Sequence, residues 1–244
     1  MIDGASDKDY YHGFTPYYEK YFATLDPSYV AEFGVFQGDS IRYLLKRFPK
    51  ATVYGADIIE PQESWPVDDR FVFVRLDQAD AGQVRDFVNR ERFDLIIEDG
   101  SHHPEHQATC LIEGMRALAP GGLFILEDIH TSFLEHVMSW FGQSQRTSNA
   151  FNILMAIDHY MRTRRRVDAA AAARIAQDSL FTDAEVYELA GAIATVSLFR
   201  RNFLPDRCWS CGSQDYDYRA IRCLCGERLF KPDDSMSFII RKGD

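Results

Sequence analysis

Five short apolar runs, separated by amphipathic stretches and mostly ending in acidic residues, constrain this chain more than any other feature. Tyr29-Val-Ala-Glu-Phe-Gly34 reads as a strand entering a glycine turn, and Thr52–Asp57, Phe71–Val74, Asp94–Ile97 and Leu123–Leu126 read as further strands. Between them, Ile41, Leu44, Leu45 and Phe48, then Val84, Phe87 and Val88, then Leu111, Ile112, Met115 and Leu118 recur at helical spacing. Asp39 or Ser40 is placed to cap the first of these helices, and Pro120-Gly121-Gly122 stops the last. Strand–helix alternation with continuous apolar strands predicts an α/β fold, a mostly parallel sheet covered on both faces. Ligands of such sheets bind beyond the carboxyl ends of the strands. Those ends carry Glu32 and Gly34, Asp57, Asp77, Glu98 and Asp99, and Glu127 and Asp128. So many acids along one edge repel one another unless cations or hydroxyl-rich ligands meet them.

Downstream, segments 132–141 and 149–166 read as helices, and the alanine run 169–176 extends the helical character. Thr182-x-x-Glu185 is a capping box. Ile193–Phe199 and Met236–Arg241 read as two closing strands with a cysteine-rich stretch between them. The 244 residues are 46% hydrophobic and 26% charged, which fits one large soluble domain or a domain with a small attachment. A net charge of −10 disfavours nucleic acid or an anionic membrane as the main partner. The basic run Arg162–Arg166 reads as the solvated end of a helix. Leu189–Phe199 is the longest nearly apolar stretch, short of the ~18–20 residues of a spanning helix. Met1–Tyr11 lacks the apolar core of a signal peptide, so the expected location is cytoplasmic, with a homo-oligomer left open.

The segment Glu32-Phe-Gly34-Val-Phe-Gln-Gly38 is a glycine loop between a strand and a helix start, where backbone can approach a ligand closely. Asp57 ends the next strand, placed to accept both hydroxyls of a ribose. Such loops serve NAD, flavin and S-adenosylmethionine proteins alike. The third glycine of the dinucleotide fingerprint is missing, with Asp39 and Ser40 in its place, so a cofactor without a diphosphate is favoured. Glu32 would repel pyrophosphate and could receive the ammonium of a methionine moiety.

Glu98-Asp99-Gly100-Ser101-His102-His103 follows the fourth strand and Glu127-Asp128 the fifth. Neighbouring parallel strands lie about 4.8 Å apart, so these acids converge. A hard divalent cation, magnesium above all, suits such an all-oxygen site. His102, three residues past Asp99, is placed to act as a general base, while His103 and His106 read as caps or covers of the following helix.

Four of the five cysteines crowd into Cys208-Trp-Ser-Cys211 and Cys223-Leu-Cys225. In a reducing compartment this spacing points to a tetrahedral structural zinc site, the alternative being four ordinary thiols. Cys110 lies on an apolar helix face and reads as core.

Asp7-Lys8, His12-Gly-Phe-Thr-Pro-Tyr-Tyr18, Glu32–Gly38, Gly55-Ala-Asp57, Asp94-Leu-Ile-Ile-Glu-Asp-Gly-Ser-His102 and Pro120-Gly-Gly-Leu-Phe-Ile-Leu-Glu-Asp128 together resemble the metal-dependent class I sugar O-methyltransferases of natural-product pathways, the macrolide and rhamnosyl enzymes. The likeness spans roughly residues 5–130. It implies a Rossmann-like class I methyltransferase sheet with its last strand antiparallel, S-adenosylmethionine as donor, and magnesium or a similar divalent cation held by Asp99, Glu127 and Asp128. It implies His102 as the base that deprotonates a sugar hydroxyl of a glycosylated small molecule, in antibiotic biosynthesis for example. Asp57 would bind the ribose, Asp77 or Gln78 the adenine side, and Tyr17 would line the cofactor or acceptor pocket. Gly34, Gly38, Ser40, Glu32 and Asp99 complete the expected cofactor set.

Two departures stand out: Glu98 where the family usually has Asp, and the cysteine insertion. The expected organisation is a covering segment 1–28, a methyltransferase domain 29–203 plus 236–244, and a zinc insertion 204–235. On this reading the insertion opens at the cofactor edge, and its Trp209, Tyr216 and Tyr218 roof the acceptor pocket. A catechol acceptor on the same scaffold, or an idle scaffold whose zinc module binds a protein, are the alternatives.

Overall fold

The computed structural model describes residues 6–133, 135–136, 148–231 and 234–244. Its strands are β1 Tyr29–Phe33, β2 Thr52–Asp57, β3 Phe71–Arg75, β4 Leu95–Glu98, β5 Leu123–Leu126, β6 Ile193–Arg200, β7 Tyr216–Asp217, β8 Arg222–Cys223 and β9 Met236–Lys242. Seven of them form one sheet in the order β3-β2-β1-β4-β5-β9-β6, and β7 and β8 make a separate hairpin. Strands β1 to β5 are mutually parallel, and β9 runs antiparallel to both β5 and β6. The helices are α1 Asp7–Tyr10, α2 Phe14–Phe22, α3 Asp39–Arg47, α4 Ala81–Val88, α5 Pro104–Ala117, α6 Ala150–Arg162, α7 Ala169–Ile175 and α8 Asp183–Ala192, with a 3-10 turn at Ile129–Ser132. No helix among the described residues is long and apolar enough to cross a membrane.

The alternation of side chains along each strand builds two cores. Val30, Leu95, Ile97, Leu123 and Ile125 face one side, where Phe14, Tyr18 and Phe22 of α2 and Ile41, Leu44 and Leu45 of α3 cover them. Ala31, Phe33, Ile96, Phe124 and Leu126 face the other, under Val84 and Phe87 of α4, Leu111 and Met115 of α5, and Ile153 and Leu154 of α6. The same period of two, continued to the strand ends, sends Glu32 and Glu127 toward α2 and α3, and Glu98 toward α4 and α5.

Register aligns the carboxyl ends. Phe33 pairs with Ala56 and Glu98, and Glu98 with Leu126. The next residues continue the ladder, Gly34 N–H donating to Ala56 O at 2.8 Å, Asp99 N–H to Phe33 O at 3.0 Å and Glu127 N–H to Glu98 O at 2.9 Å. Because Phe238 pairs with Leu126 and Met236 with Arg200, the connection from β6 to β9 opens at this same edge.

Three local expectations change. Neither Asp39 nor Ser40 caps α3: Gly38 does, at φ 80°, because Asp39 pairs with Arg42 and the Ser40 hydroxyl donates to Glu32 Oε2 at 2.7 Å. The alanine run does not prolong the preceding helix but forms α7, capped by the Asp168 side chain. The expected helix at 132–141 falls largely outside the described residues.

Candidate active site

Two adjoining cavities lie over the carboxyl edge. One, of about 500 Å³, is lined by Asp57, Asp77, Gln78, His102 and Asp128 among others. The other, about 660 Å³, runs over the glycine loop past Lys8, Ser40 and the Trp209–Gly212 turn. Gly34, Phe36, Asp99 and Asp7 line both, so the two form one trough.

The glycine loop is held from below. Asp57 Oδ2 accepts the N–H groups of Val35 at 2.8 Å and Phe36 at 2.9 Å, and its Oδ1 accepts that of Ile59 at 3.2 Å. Asp57 therefore shapes the loop as well as lining the trough. Gly34 takes φ 89°, and a Cβ there would lie 2.1 Å from the Asp99 carbonyl oxygen. Only glycine lets the β1 turn pass so close to the β4 turn.

Gln78 works in the same way on the other side. Its Nε2 donates to Glu98 Oε1 at 2.8 Å and its Oε1 accepts the Ser101 N–H at 2.7 Å, fixing the loop that carries Asp99 and His102. Glu98 is fully buried, and burial raises its pKa, so it belongs to this network rather than to the trough. His103 takes the N-cap position of α5, and His106 Nδ1 lies 2.8 Å from the Ser101 hydroxyl.

Asp99, His102 and Asp128 come together: a carboxylate oxygen from each acid and a ring nitrogen lie within 4.8 Å of one another. His102 Nε2 stands 3.9 Å from Asp99 Oδ1 and 3.8 Å from Asp128 Oδ2. Burial alone would depress the His102 pKa, but Asp128 and Asp99 outweigh it and the net shift is upward. Both His102 and Asp128 sit at positive φ, 56° and 46°, conformations non-glycine residues adopt at a cost and that cluster at functional sites. Two further imidazoles flank Asp128, with His12 Nδ1 at 4.0 Å and His130 Nδ1 at 3.8 Å from its Oδ1. Together with His102 they hold the Asp128 carboxyl below its ordinary range against the pull of burial.

Glu127 and Glu32 face another cation. The Lys8 ammonium lies 2.6 Å from Asp99 Oδ2, 2.8 Å from Glu127 Oε1 and 3.3 Å from Glu32 Oε1. Burial raises the Glu32 pKa to about 7, with Asp99 adding and Lys8 opposing. Lys8, His12 and His130 are the site residues to which no role was assigned from sequence, although Lys8 and His12 sit in the segments that carry the family likeness.

Of the expected cofactor set, Gly34, Ser40, Asp57, Asp77, Gln78 and Asp99 line the trough, whereas Glu32, Gly38 and Tyr17 line neither cavity. Glu32 is 0% exposed behind Lys8. Gly38 opens toward Trp65 and Pro66. Tyr17 packs on Phe199 and Tyr21, while its neighbour Tyr18, about 100° further round α2, faces the Lys8 pocket.

In the insertion, the Sγ atoms of Cys208, Cys211, Cys223 and Cys225 all lie within 4.8 Å of one another. Cys208 and Cys225 are 3.7 Å apart, Cys211 and Cys223 3.5 Å. Tetrahedral ligation at a metal–sulfur length of about 2.3 Å separates sulfurs by about 3.8 Å, so the thiols are arranged as zinc would need them. Trp209 lines the larger cavity. Tyr216 and Tyr218 do not: the Tyr216 hydroxyl donates to Pro205 O at 3.0 Å, and Tyr218 is exposed.

Comparison with known proteins bears on this edge. Residues 31–129 match the family described as a methyltransferase domain. The chain is 33% identical over 156 residues to an 8-demethyl-8-alpha-L-rhamnosyl tetracenomycin-C 2'-O-methyltransferase of Streptomyces olivaceus, covering 60% of this chain and 41% of that protein. It is 32% identical over 133 residues to a mycinamicin VI 2''-O-methyltransferase of Micromonospora griseorubida, covering 50% and 33%. The chain thus spans well under half the length of these relatives. Among solved structures, the MycE methyltransferase of the mycinamycin pathway, in complex with Mg and SAH, superposes with a TM-score of 0.59 at 20% identity, covering 94% of this chain and 49% of that one, which shows a shared fold. The sheet thus has the fold of a known methyltransferase, residues 31–129 match a methyltransferase-domain family, and the relatives the chain resembles in sequence are named as O-methyltransferases.

Proposed function

We propose that this chain transfers a methyl group from S-adenosylmethionine to a hydroxyl of a glycosylated small molecule, with a divalent cation at Asp99 and Asp128. The observation that carries this reading is the meeting of Asp99, His102 and Asp128 on the wall of the cavity that also holds Asp57, Asp77 and Gln78. The donor set fits a hard cation: two carboxylates converge, and Asp128 Oδ1 is buried without a hydrogen bond. The bound cation would supply Lewis acidity to the acceptor hydroxyl, and S-adenosylmethionine the methyl group.

The remaining work falls to the chain. Asp57 lines the trough with lone pairs left for ribose hydroxyls, beside Asp77. Gly34 lets the loop close on the cofactor. His102 takes the acceptor proton at Nε2, strengthened as a base by the neighbouring carboxylates. Gln78, through Ser101, holds the loop so that this nitrogen stays on the reacting side. Trp209 offers an aromatic wall on which a sugar or aglycone ring can stack. The four cysteines, read as a structural zinc site, fix the turn that carries Trp209.

Calorimetric titration with S-adenosylhomocysteine should show binding that Asp57→Asn weakens at least tenfold. A panel of glycosylated acceptors should then be methylated in a reaction that EDTA stops and added Mg²⁺ restores, and His102→Gln should abolish turnover while leaving cofactor binding intact. Lack of cofactor binding overturns the donor assignment, and EDTA-insensitive transfer overturns the cation.

A further inference from the structure

Resting on the zinc and donor readings above, we propose that the cysteine cluster is a clasp on the active site: zinc bound by its four thiols holds residues 6–12 in place as a wall of the trough. Zinc at the insertion and cofactor in the trough then strengthen each other's binding. The insertion has little else to hold it. Its buried residues are Cys208, Cys223 and Leu229, with Leu204 and Tyr216 packed against them, and its strands β7 and β8 have two residues each. A unit so small draws its folding energy from its metal. Bonds lead outward from the cluster. Cys208 N–H donates to Ser213 O at 2.9 Å, the Gln214 amide to Asp206 O at 3.2 Å and the Tyr216 hydroxyl to Pro205 O at 3.0 Å. Asp206 N–H in turn donates to Tyr10 O at 2.8 Å.

The segment reached in this way is equally dependent. Helix α1 has four residues, too few to stand alone. Just beyond it, Arg201 donates to Tyr11 O, the Tyr11 hydroxyl donates to Asp234 Oδ2 at 2.8 Å, and His12 Nδ1 lies 2.9 Å from the Ser235 hydroxyl. Phe203 closes on Gly13, where a Cβ would lie 2.2 Å from its ring. These partners belong to the two flanks of the insertion, while the sheet side holds the segment through Lys8, 2.6 Å from Asp99 Oδ2. Ser6, Asp7, Lys8 and Tyr10 line the larger cavity, and Asp7 lines the smaller one too. Once the flanks let go, the trough loses that wall and cofactor binding has to restore it. Linkage makes the coupling reciprocal: the factor by which zinc tightens cofactor binding equals the factor by which the cofactor tightens zinc binding.

The full chain, freed of zinc and reloaded with Zn²⁺, tests this. Calorimetry should find S-adenosylhomocysteine bound at least tenfold more tightly by the zinc-loaded chain, and competition for Zn²⁺ with a chromophoric chelator should return the same factor when S-adenosylhomocysteine is added. Chymotrypsin should cut after Tyr10 and Tyr11 only in the zinc-free chain. Equal cofactor affinity in the two forms, or a zinc-free chain still protected at Tyr10 and Tyr11, overturns the proposal. Should the zinc-free chain unfold as a whole, Tyr11→Phe decides: it keeps all four thiols and its zinc, and should bind S-adenosylhomocysteine at least threefold more weakly; unchanged binding overturns the clasp. A chain that takes up no zinc removes the zinc reading and this proposal with it. One that takes up zinc but binds no S-adenosylhomocysteine removes the donor reading, and the clasp then stands or falls on the cleavage at Tyr10 and Tyr11.

Discussion

Replacing Gly34 by alanine should uncouple the cation site from the sheet, and the structure gives the size of the effect. The new Cβ would lie 2.1 Å from Asp99 O, 2.7 Å from Asp99 C and 3.0 Å from Gly100 Cα, all backbone atoms that no rotamer change can withdraw. Reaching ordinary contact requires the Asp99 peptide to retreat by about 1 Å, stretching the 3.0 Å bond from its N–H to Phe33 O. The positive φ adds roughly 1–2 kcal/mol for a side-chain-bearing residue. With that bond lost the total approaches about 3 kcal/mol, or roughly 6–12 °C in melting temperature for a chain of this size. Displacing Asp99 by about 1 Å should further cost on the order of 10²-fold in cation-dependent function. Gly38→Ala is the control. Its φ of 80° imposes similar strain, but its Cβ would meet Pro66 Cδ and Trp65 Cδ1 at 3.1 Å and Trp65 Cα at 3.3 Å, crowding that a shift of a few tenths of an ångström relieves. Differential scanning calorimetry should find both variants destabilised, whereas Mn²⁺ titration should find only Gly34→Ala impaired. Equal Mn²⁺ affinity in the two variants would refute the reasoning.

Three other outcomes are expected. Arg201, 2% exposed, donates to Tyr11 O and Leu229 O and stands 3.7 Å from Asp234, so Arg201→Met should cost roughly 3–5 kcal/mol by urea unfolding and expose residues 7–12 to limited proteolysis. Glu32, raised to about 7 chiefly by burial, holds its proton more tightly folded than unfolded, so its contribution is present at low pH and lost as pH rises from about 4.5 through 7, at most roughly 3 kcal/mol. Melting temperature between pH 5 and 8 should then fall less steeply in Glu32→Gln; parallel profiles count against this assignment. The purified protein should carry about one zinc per chain by elemental analysis, and Cys208→Ser should lose it together with the protection of residues 204–231 from proteolysis.

The strands and the edge they share were legible in the sequence because their signal is local. A run of four to six apolar residues ending in an acid marks both a buried parallel strand and its ligand-facing end, and β1 to β5 fall where those runs stand. Asp99, His102 and Asp128 were legible for the same reason, since register turns strand ends into neighbours. What the sequence obscured was direction. Glu127 and Asp128 are consecutive, so alternation sends them to different partners: Glu127 to Lys8, Asp128 to the imidazoles. Tyr17 and Tyr18 divide likewise around a helix. Lys8 itself was out of reach, for its contact with Asp99 spans 91 residues and its own four-residue helix has no periodicity to read.

The edge is better understood as two electrostatic compartments than as one acidic cluster. Burial by itself would drive the Lys8 ammonium toward neutrality, yet Asp99, Glu127 and Glu32 together hold its pKa well above the usual lysine range. Around Asp128 the facing groups are the imidazoles of His12, His102 and His130. A divalent ion held at Asp99 and Asp128, as proposed, would have these imidazoles beside it on the Asp128 side and the Lys8 ammonium beyond Asp99. His102, the base of the proposed reaction, stands on that same side, its Nε2 3.9 Å from Asp99 Oδ1 and 3.8 Å from Asp128 Oδ2, so the proposed cation and base would act on one hydroxyl.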